Sequence, residues 1–286
     1  MKQHTKARWM LIFSMVAFGT LAPFVRNISV SSAELALYRA VLAAVLIGFF
    51  LLFTRQKLSL KELGRDLPLL LFSGVAMGFN WILLFEAYRY TTVAISTLSY
   101  YFAPVIVTVV CPFLFREKMS KKQLLCFLMS TLGLALVIGI TDLGSGGNDS
   151  LGILFGLGAA CLYAAVILLN KFIRGVGGIH RTFLQFLAAI AVLVPYVALT
   201  GGCSLGNLDG IGWGCLLIVG LLHTGVTYCL YFSALKDLPG QEAAILSYID
   251  PLVAVVIGIT VLGEPLSWQQ LLGGGLILGF TLWNEL

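Results

Sequence analysis

Leu246-Ser247-Tyr248-Ile249-Asp250-Pro251 lies inside an otherwise apolar run from Ala243 to Leu262. A carboxylate at membrane depth costs about 2.5–3.5 kcal/mol on insertion scales, so it must face a partner or a water-filled cavity. Pro251 removes a backbone donor and disturbs the carbonyl one turn earlier. Broken backbone at that depth is tolerated only where it lines a cavity or is buried in protein. A charge and a helix break together predict a substrate path through a bilayer. The pattern also has an earlier copy. Sliding the chain by 147 positions places Tyr101 on Tyr248, Pro104 on Pro251, Phe85 on Phe232 and Ala87 on Ala234. Without a gap, Glu117 then falls on Glu264, Ser120 on Ser267, and Gln123-Leu124-Leu125 on Gln270-Leu271-Leu272. The chain reads as one unit written twice.

Composition says what kind of unit. Of 286 residues, 59% are hydrophobic and 11% charged, and the mean hydropathy is +0.97. A soluble domain carries about 25% charged residues. At about 20 residues per span, the length accommodates roughly ten membrane helices. Ten apolar segments can be drawn, at approximately 9–27, 34–53, 67–88, 92–115, 121–141, 150–170, 181–200, 210–235, 240–262 and 268–284. The expected fold is an all-α membrane protein of ten transmembrane helices in two five-helix repeats, residues 1–142 and 143–286. Five is odd, so the second repeat enters the bilayer inverted. Inverted repeats are a recurring plan of secondary transporters, with the substrate site near the midplane at their interface. The N-terminal Lys2, Lys6 and Arg8 followed by an apolar run resemble a signal peptide. That run, Trp9 to Val25, is long enough to span and lacks a small-residue cleavage site, so it is read as the first span.

Charge gives the orientation. With the N-terminus in the cytoplasm, fifteen of the eighteen Lys and Arg residues fall on the inner side; Arg26 and Arg89 fall outside, and Arg39 alone lies within a span. Positive residues concentrate on the cytoplasmic side of membrane proteins, so both termini are expected there. These cations need no partner beyond the inner leaflet, which removes the case for nucleic acid. The six cysteines show no C-x-x-C spacing, and five fall in apolar runs; they read as packing residues rather than metal ligands. Ser31-x-x-Glu34, Ser59-x-x-Glu62, Ser120-x-x-Gln123 and Ser267-x-x-Gln270 match the capping box that starts a helix.

Two five-span repeats, Arg39 in the second span, and Glu117 and Glu264 just before capped helices resemble the EamA-type branch of the drug/metabolite transporter superfamily. Gly263-Glu264-Pro265-Leu266-Ser267, with Gln270 and Gly273, is similar to that family's signature before its last helix. The first half departs from it, since Arg116-Glu117-Lys118-Met119-Ser120 lacks the glycine and proline. The resemblance covers about residues 9–139 and 151–284. It implies a multi-pass carrier of the cell's inner (cytoplasmic) membrane, without a bound cofactor, that exports amino acids or other small metabolites.

Asp250 is the first candidate site residue. It lies about ten residues into its span, near half depth, and is expected to bind a cationic group or to take up and release a proton. Arg39 has a planar fork suited to a carboxylate; a structural or gating role, with Glu86 as its partner, is the other reading. Asn80 and His223 fall mid-span in the third and eighth segments, which the repeat relates. They are expected either to line a shared cavity or to act as helix–helix glue. Trp81, Phe85, Tyr100, Tyr101, Tyr228 and Tyr248 cluster at the same depth and would form a box suited to ammonium groups. Tyr101 and Tyr248, repeat mates three positions before their prolines, are preferred cavity liners. The substrate-binding set is therefore Asp250, Tyr248, Tyr101, Asn80, Trp81, His223, Arg39 and Tyr228, with Asp250 for proton coupling. Glu117 and Glu264 are assigned to the positive ends of helix dipoles. Gly273-Gly274-Gly275, Gly279, Gly152, Gly156 and Gly158 allow close helix packing, either within the chain or at a homodimer face.

The expected function is a secondary carrier of a small polar metabolite, an amino acid or amine, exported in exchange for protons. The partners are then the lipid bilayer, the substrate and protons. Uptake of a quaternary ammonium compound is the alternative among carriers. A non-transporting membrane sensor is a third reading. An intramembrane enzyme lacks its signature, because His4, His180 and His223 are isolated and no H-E-x-x-H occurs.

Overall fold

A computed structural model describes the chain apart from residues 1, 56–59, 116–119, 139–147, 174, 177, 236, 239–242, 244 and 245. Glu117, the Ser59 capping position and the expected repeat boundary at 142/143 lie outside the described residues. Among those described, every regular element is helical. In chain order they are α1 (Lys2–Gly19), α2 (Leu21–Arg26), α3 (Ser32–Phe53), α4 (Leu60–Tyr90), α5 (Val93–Tyr100), α6 (Ala103–Phe115) and α7 (Lys121–Ile138). There follow α8 (Asn148–Phe172), α9 (Gly178–Thr200), α10 (Gly210–Leu217), a π-helical stretch (Ile218–Val226), α11 (Thr227–Leu235), α12 (Ile249–Thr260) and α13 (Trp268–Glu285). Among the described residues seven helical stretches are long and apolar enough to cross a membrane, and Ile249–Thr260 is a shorter apolar helix. The chain is a multi-pass integral membrane protein.

Local chemistry sets the helix ends. Ser31 and Glu34 form a reciprocal capping box at the start of α3, and Ser267 with Gln270 does the same for α13. Ser120 and Gln123 exchange the same pair of bonds ahead of α7, at 2.8 and 3.1 Å. The helical run through 93–115 breaks at Tyr101-Phe102, and α12 begins directly after Tyr248, its repeat mate. Both breaks stand three positions before a proline, whose missing N–H and ring disfavour the preceding helical turn. A further break at Thr20 separates α1 from α2, ahead of Pro23.

Packing follows one periodicity. On α3, Ala36, Ala40, Ala43 and Ile47 are completely buried, while Val41, Val45 and Phe49 on the opposite face are exposed. Residues three and four apart share a helix face, so small residues draw the neighbours in and bulky ones turn to lipid. Phe53 and Leu199 are exposed by 86% and 88%, surface that only an apolar solvent leaves stable. α3 packs against α9 and the π-helical stretch, α4 against α8 and α9, α1 against α11 and α12, and α5 against α8 and α12. Shifted by 147 positions, the pairing of α3 with the π-helical stretch maps onto that of α9 with α4, and the pairing of α4 with α8 onto that of α11 with α1. The register holds for single residues: a Cβ on Gly78 would lie 3.4 Å from Leu193, and one on Gly225, its mate, 3.2 Å from Leu46, the mate of Leu193. α7 and α13 cross where a Cβ on Gly133 would lie 2.6 Å from the Gly273 carbonyl, too close for any side chain.

Candidate functional site

The helix break at Tyr248 leaves Asp250 in the first turn of α12. The break at Tyr101 delivers a phenol to it, and the Tyr101 hydroxyl donates to Asp250 Oδ2 at 2.6 Å. The two repeat-related breaks thus meet at one carboxylate. Around it lies a cavity of about 120 Å³, lined by Phe18, Arg39, Trp81, Tyr88, Thr97, Tyr100, Tyr101, Tyr163, Tyr228, Asp250 and Ala254 among others. Both halves of the chain contribute. The aromatic wall is ordered by ring contacts: Tyr100 stacks on Tyr163 with centroids 5.2 Å apart and meets Tyr101 edge-on at 5.9 Å. Tyr228 stands edge-on to Phe18 at 5.3 Å and to Phe186 at 5.4 Å.

Arg39 is buried on α3 and lines the same cavity. Its Nε donates to Thr224 Oγ1 at 2.7 Å, and its guanidinium carbon lies 4.6 Å from the Trp81 ring centroid and 5.6 Å from that of Phe85. Glu86 is not its partner; that carboxylate pairs with Arg89 at 3.3 Å. The segment holding Thr224 has its own logic. Thr224 Oγ1 donates to Val219 O at 2.7 Å and Thr227 Oγ1 to Leu222 O at 2.8 Å, while His223 Nδ1 lies 3.3 Å from Ile218 O. Each bond reaches back five residues, the spacing of the π-helix it decorates.

Two further hollows adjoin the cavity. One, of about 1200 Å³, opens at the face where α3 begins, is lined by Arg26, residues 28–35, Glu86 and Arg89, and shares Tyr88 with the Asp250 cavity. The other, of about 190 Å³, is lined by Tyr248, Ser247, Pro104 and Ile167 and shares Tyr100, Tyr101 and Tyr163. Asp250 is not sealed into a helix contact. Tyrosines separate the three hollows.

The structure therefore brings together Asp250, Tyr101, Arg39, Trp81 and Tyr228, and places Tyr248 on the adjoining hollow. Asn80 and His223 do not line the cavity. Asn80 Nδ2 donates to Ala159 O at 2.6 Å, tying α4 to α8. His223 Nε2 lies 3.1 Å from Thr20 Oγ1, and its ring 4.9 Å from that of Phe24. Tyr88 and Tyr163 line the cavity although the sequence did not single them out. Their repeat mates are Leu235 and Val16, so duplication gave no signal; a tyrosine within an apolar span was the only sign. Glu264 serves a different helix from the one it precedes. Its Oε2 accepts from Val93 N at 2.8 Å at the start of α5, and its Oε1 pairs with Arg26 at 2.6 Å, while Ser267 caps α13. Among the described residues no cluster of His, Cys, Asp and Glu could hold a metal ion.

Comparison with known proteins places the chain in context. It matches the EamA-like transporter family twice, over residues 5–139 and 150–284. It is 31% identical to the uncharacterized transporter YxxF of Bacillus subtilis (strain 168) over 95% of this chain and 87% of that one. It is 30% identical to an uncharacterized transporter of Archaeoglobus fulgidus, over 96% and 95%. The threonine/homoserine exporter RhtA of Escherichia coli (strain K12) is 28% identical over 93% and 84%. A crystal structure superposes with a TM-score of 0.64 over 97% of this chain and 96% of that one, at 16% identity, which speaks to the fold alone.

Proposed function

The chain belongs to the EamA-like transporter family, and from that premise we propose a secondary carrier that exports a small amino acid or amine in exchange for protons. The observation that carries the proposal is Asp250, whose carboxylate meets Tyr101 within a cavity walled by both halves of the chain. A carboxylate there serves a protonated amine and a proton in turn. It cannot hold both, and that competition couples the two fluxes. The likeness to a threonine/homoserine exporter supports an amino acid as cargo.

The reading takes the chain as ten spans in two inverted five-helix repeats, residues 1–142 and 143–286, in the cytoplasmic membrane with both termini inside. Rocking one repeat against the other around Asp250 gives alternating access. Tyr88 then stands between the cavity and the outer vestibule, and Tyr100, Tyr101 and Tyr163 between it and the inner hollow. Tyr248 belongs to the inner path, while Asn80 and His223 hold the wall in place.

A metabolite panel in proteoliposomes with an imposed pH gradient tests this. Wild-type protein should accumulate an amino acid or amine against its gradient, and Asp250→Asn should lose the dependence on the pH gradient. Equal gradient-driven transport by the variant refutes the role. The aromatic wall of Trp81, Tyr100, Tyr163 and Tyr228 around Asp250 favours a second reading, uptake of a quaternary ammonium compound. Inhibition by tetramethylammonium but by no neutral amino acid would select it.

A further inference from the structure

Three arginines of this protein are tied to the helix bundle, and they are held differently. Arg181 spends its terminal nitrogens on backbone carbonyls: Nη1 donates to Asn170 O at 3.2 Å, and Nη2 to Ile173 O at 2.8 Å and Val176 O at 3.0 Å. Arg26 Nη2 pairs with Glu264 at 2.6 Å and reaches the Thr91 carbonyl at 3.3 Å. In both, the two-pronged end of the guanidinium is bonded, and Arg181 Nε adds a bond to Val176 O at 3.3 Å. Arg39 reverses this. It is 3% exposed, the most buried of the three, and its one hydrogen bond, from Nε to Thr224, lies on the stem side of the group. Trp81 and Phe85 cover the guanidinium. Among the described residues its two terminal nitrogens have no acceptor, and they belong to a residue that lines the Asp250 cavity.

A guanidinium inside a membrane protein is costly unless it is paired. Thr224 supplies a neutral oxygen, and the aromatic faces supply cation–π attraction, but neither neutralises the charge. Asp250 lines the same cavity and makes no ion pair with it among the described residues; its carboxylate is engaged by Tyr101 instead. The cavity thus carries one positive and one negative group, each held by neutral neighbours and kept apart from the other. The free edge of Arg39 is the fork that accepts two carboxylate oxygens in parallel, and Thr224 fixes its orientation in advance.

We propose that the Arg39 fork is the anchor for a carboxylate on the transported molecule, so that the substrate is a zwitterion, with its ammonium group at Asp250. This rests on the carrier reading above and narrows its "amino acid or amine" to the former. With about 120 Å³ around both anchors, the side chain of the zwitterion is short. A decarboxylated amine leaves the guanidinium unpaired on entry, and an ester offers no charge to it.

The full chain in proteoliposomes, with a pH dye enclosed, a pH gradient imposed and the signal of protein-free liposomes subtracted because amines and esters cross a bilayer as free bases, distinguishes the possibilities without any variant. A set of small L-amino acids is offered, threonine and homoserine included, each beside its methyl ester and its decarboxylated amine. Expected is substrate-dependent proton movement with at least one amino acid, its ester and amine being at least tenfold weaker in apparent affinity. Arg39→Lys should weaken the amino acid while keeping the preference for acid over ester, and Arg39→Gln should erase that preference. Proton movement driven equally well by amine or ester overturns the carboxylate anchor and leaves the carrier reading standing. So does an unchanged preference in folded Arg39→Gln. Proton movement with no compound in the wild type brings down both.

Discussion

Tyr101 holds the carboxylate of Asp250 through one short hydrogen bond. A hydrogen bond to a charged group is worth about 1.5–3 kcal/mol, and about 1.4 kcal/mol is tenfold in affinity. Tyr101→Phe should therefore weaken apparent substrate affinity about tenfold while proton coupling persists, because Asp250 remains. Transport kinetics at two imposed gradients check this; loss of coupling in Tyr101→Phe would contradict it. Asp250 and Arg39 stand out in the sequence as charges inside apolar spans, Tyr101 as the repeat mate of Tyr248, and Trp81 and Tyr228 as aromatics at the same depth; all five line the cavity. Asn80 and His223 give the same sign and lie off the cavity. The sign marks a side chain that avoids lipid, and a polar group of a neighbouring helix satisfies it as well as a cavity does. Asn80 found the Ala159 carbonyl and His223 the Thr20 hydroxyl.

Between elements, the Arg26–Glu264 pair joins the end of α2 to the start of α5 and the approach to α13. Glu264 is 7% exposed and Arg26 33%. Removing one partner of a fully buried pair costs about 3–5 kcal/mol; the exposure of Arg26 reduces this. Arg26→Gln and Glu264→Gln should each lower the melting temperature in detergent, and the double variant should fall by less than the sum. Strict additivity would show that the contact carries no coupling. The glycines of α13 offer a sharper contrast. A Cβ on Gly273 would lie 2.4 Å from the Gly133 carbonyl, whereas one on Gly275 meets nothing within 4 Å. Gly273→Ala should destabilise, and Gly275→Ala should be neutral or stabilising by up to about 1 kcal/mol, the helix preference for alanine over glycine. Equal melting temperatures for the two would contradict the close crossing of α7 and α13. Capping boxes made helix starts readable in advance. The π-helical turns around Thr224 were not, because they depend on threonine bonds to carbonyls five residues back, which compete with ordinary helical bonding and leave no periodic trace.

The molecule as a whole is the scale at which the 147-residue register has its meaning. Phe85 on Phe232 and Tyr101 on Tyr248 were visible as letters; the paired contacts of Gly78 with Leu193 and of Gly225 with Leu46 show that they share a packing code. What duplication could not reveal is where the copies diverge. Tyr88 and Tyr163 face the cavity opposite leucine and valine mates, so the chamber is chemically lopsided although its scaffold repeats. The orientation proposed from charge predicts that an epitope inserted between Gly201 and Gly202, where added side chains meet nothing within 4 Å, is reached by antibody from outside intact spheroplasts. Tags at both termini should be reached only after permeabilisation. In the proposed carrier the space beside Asp250 is wet and opens to each face in turn. Ala254 lines that space, and Ala254→Cys in a background freed of the six native cysteines reports on it directly. A membrane-impermeant thiol reagent should modify the new cysteine from either face of sealed vesicles, and reversing the pH gradient should favour one face at the expense of the other. A cysteine that stays unmodified from both faces, in protein that still folds and inserts, would contradict the account.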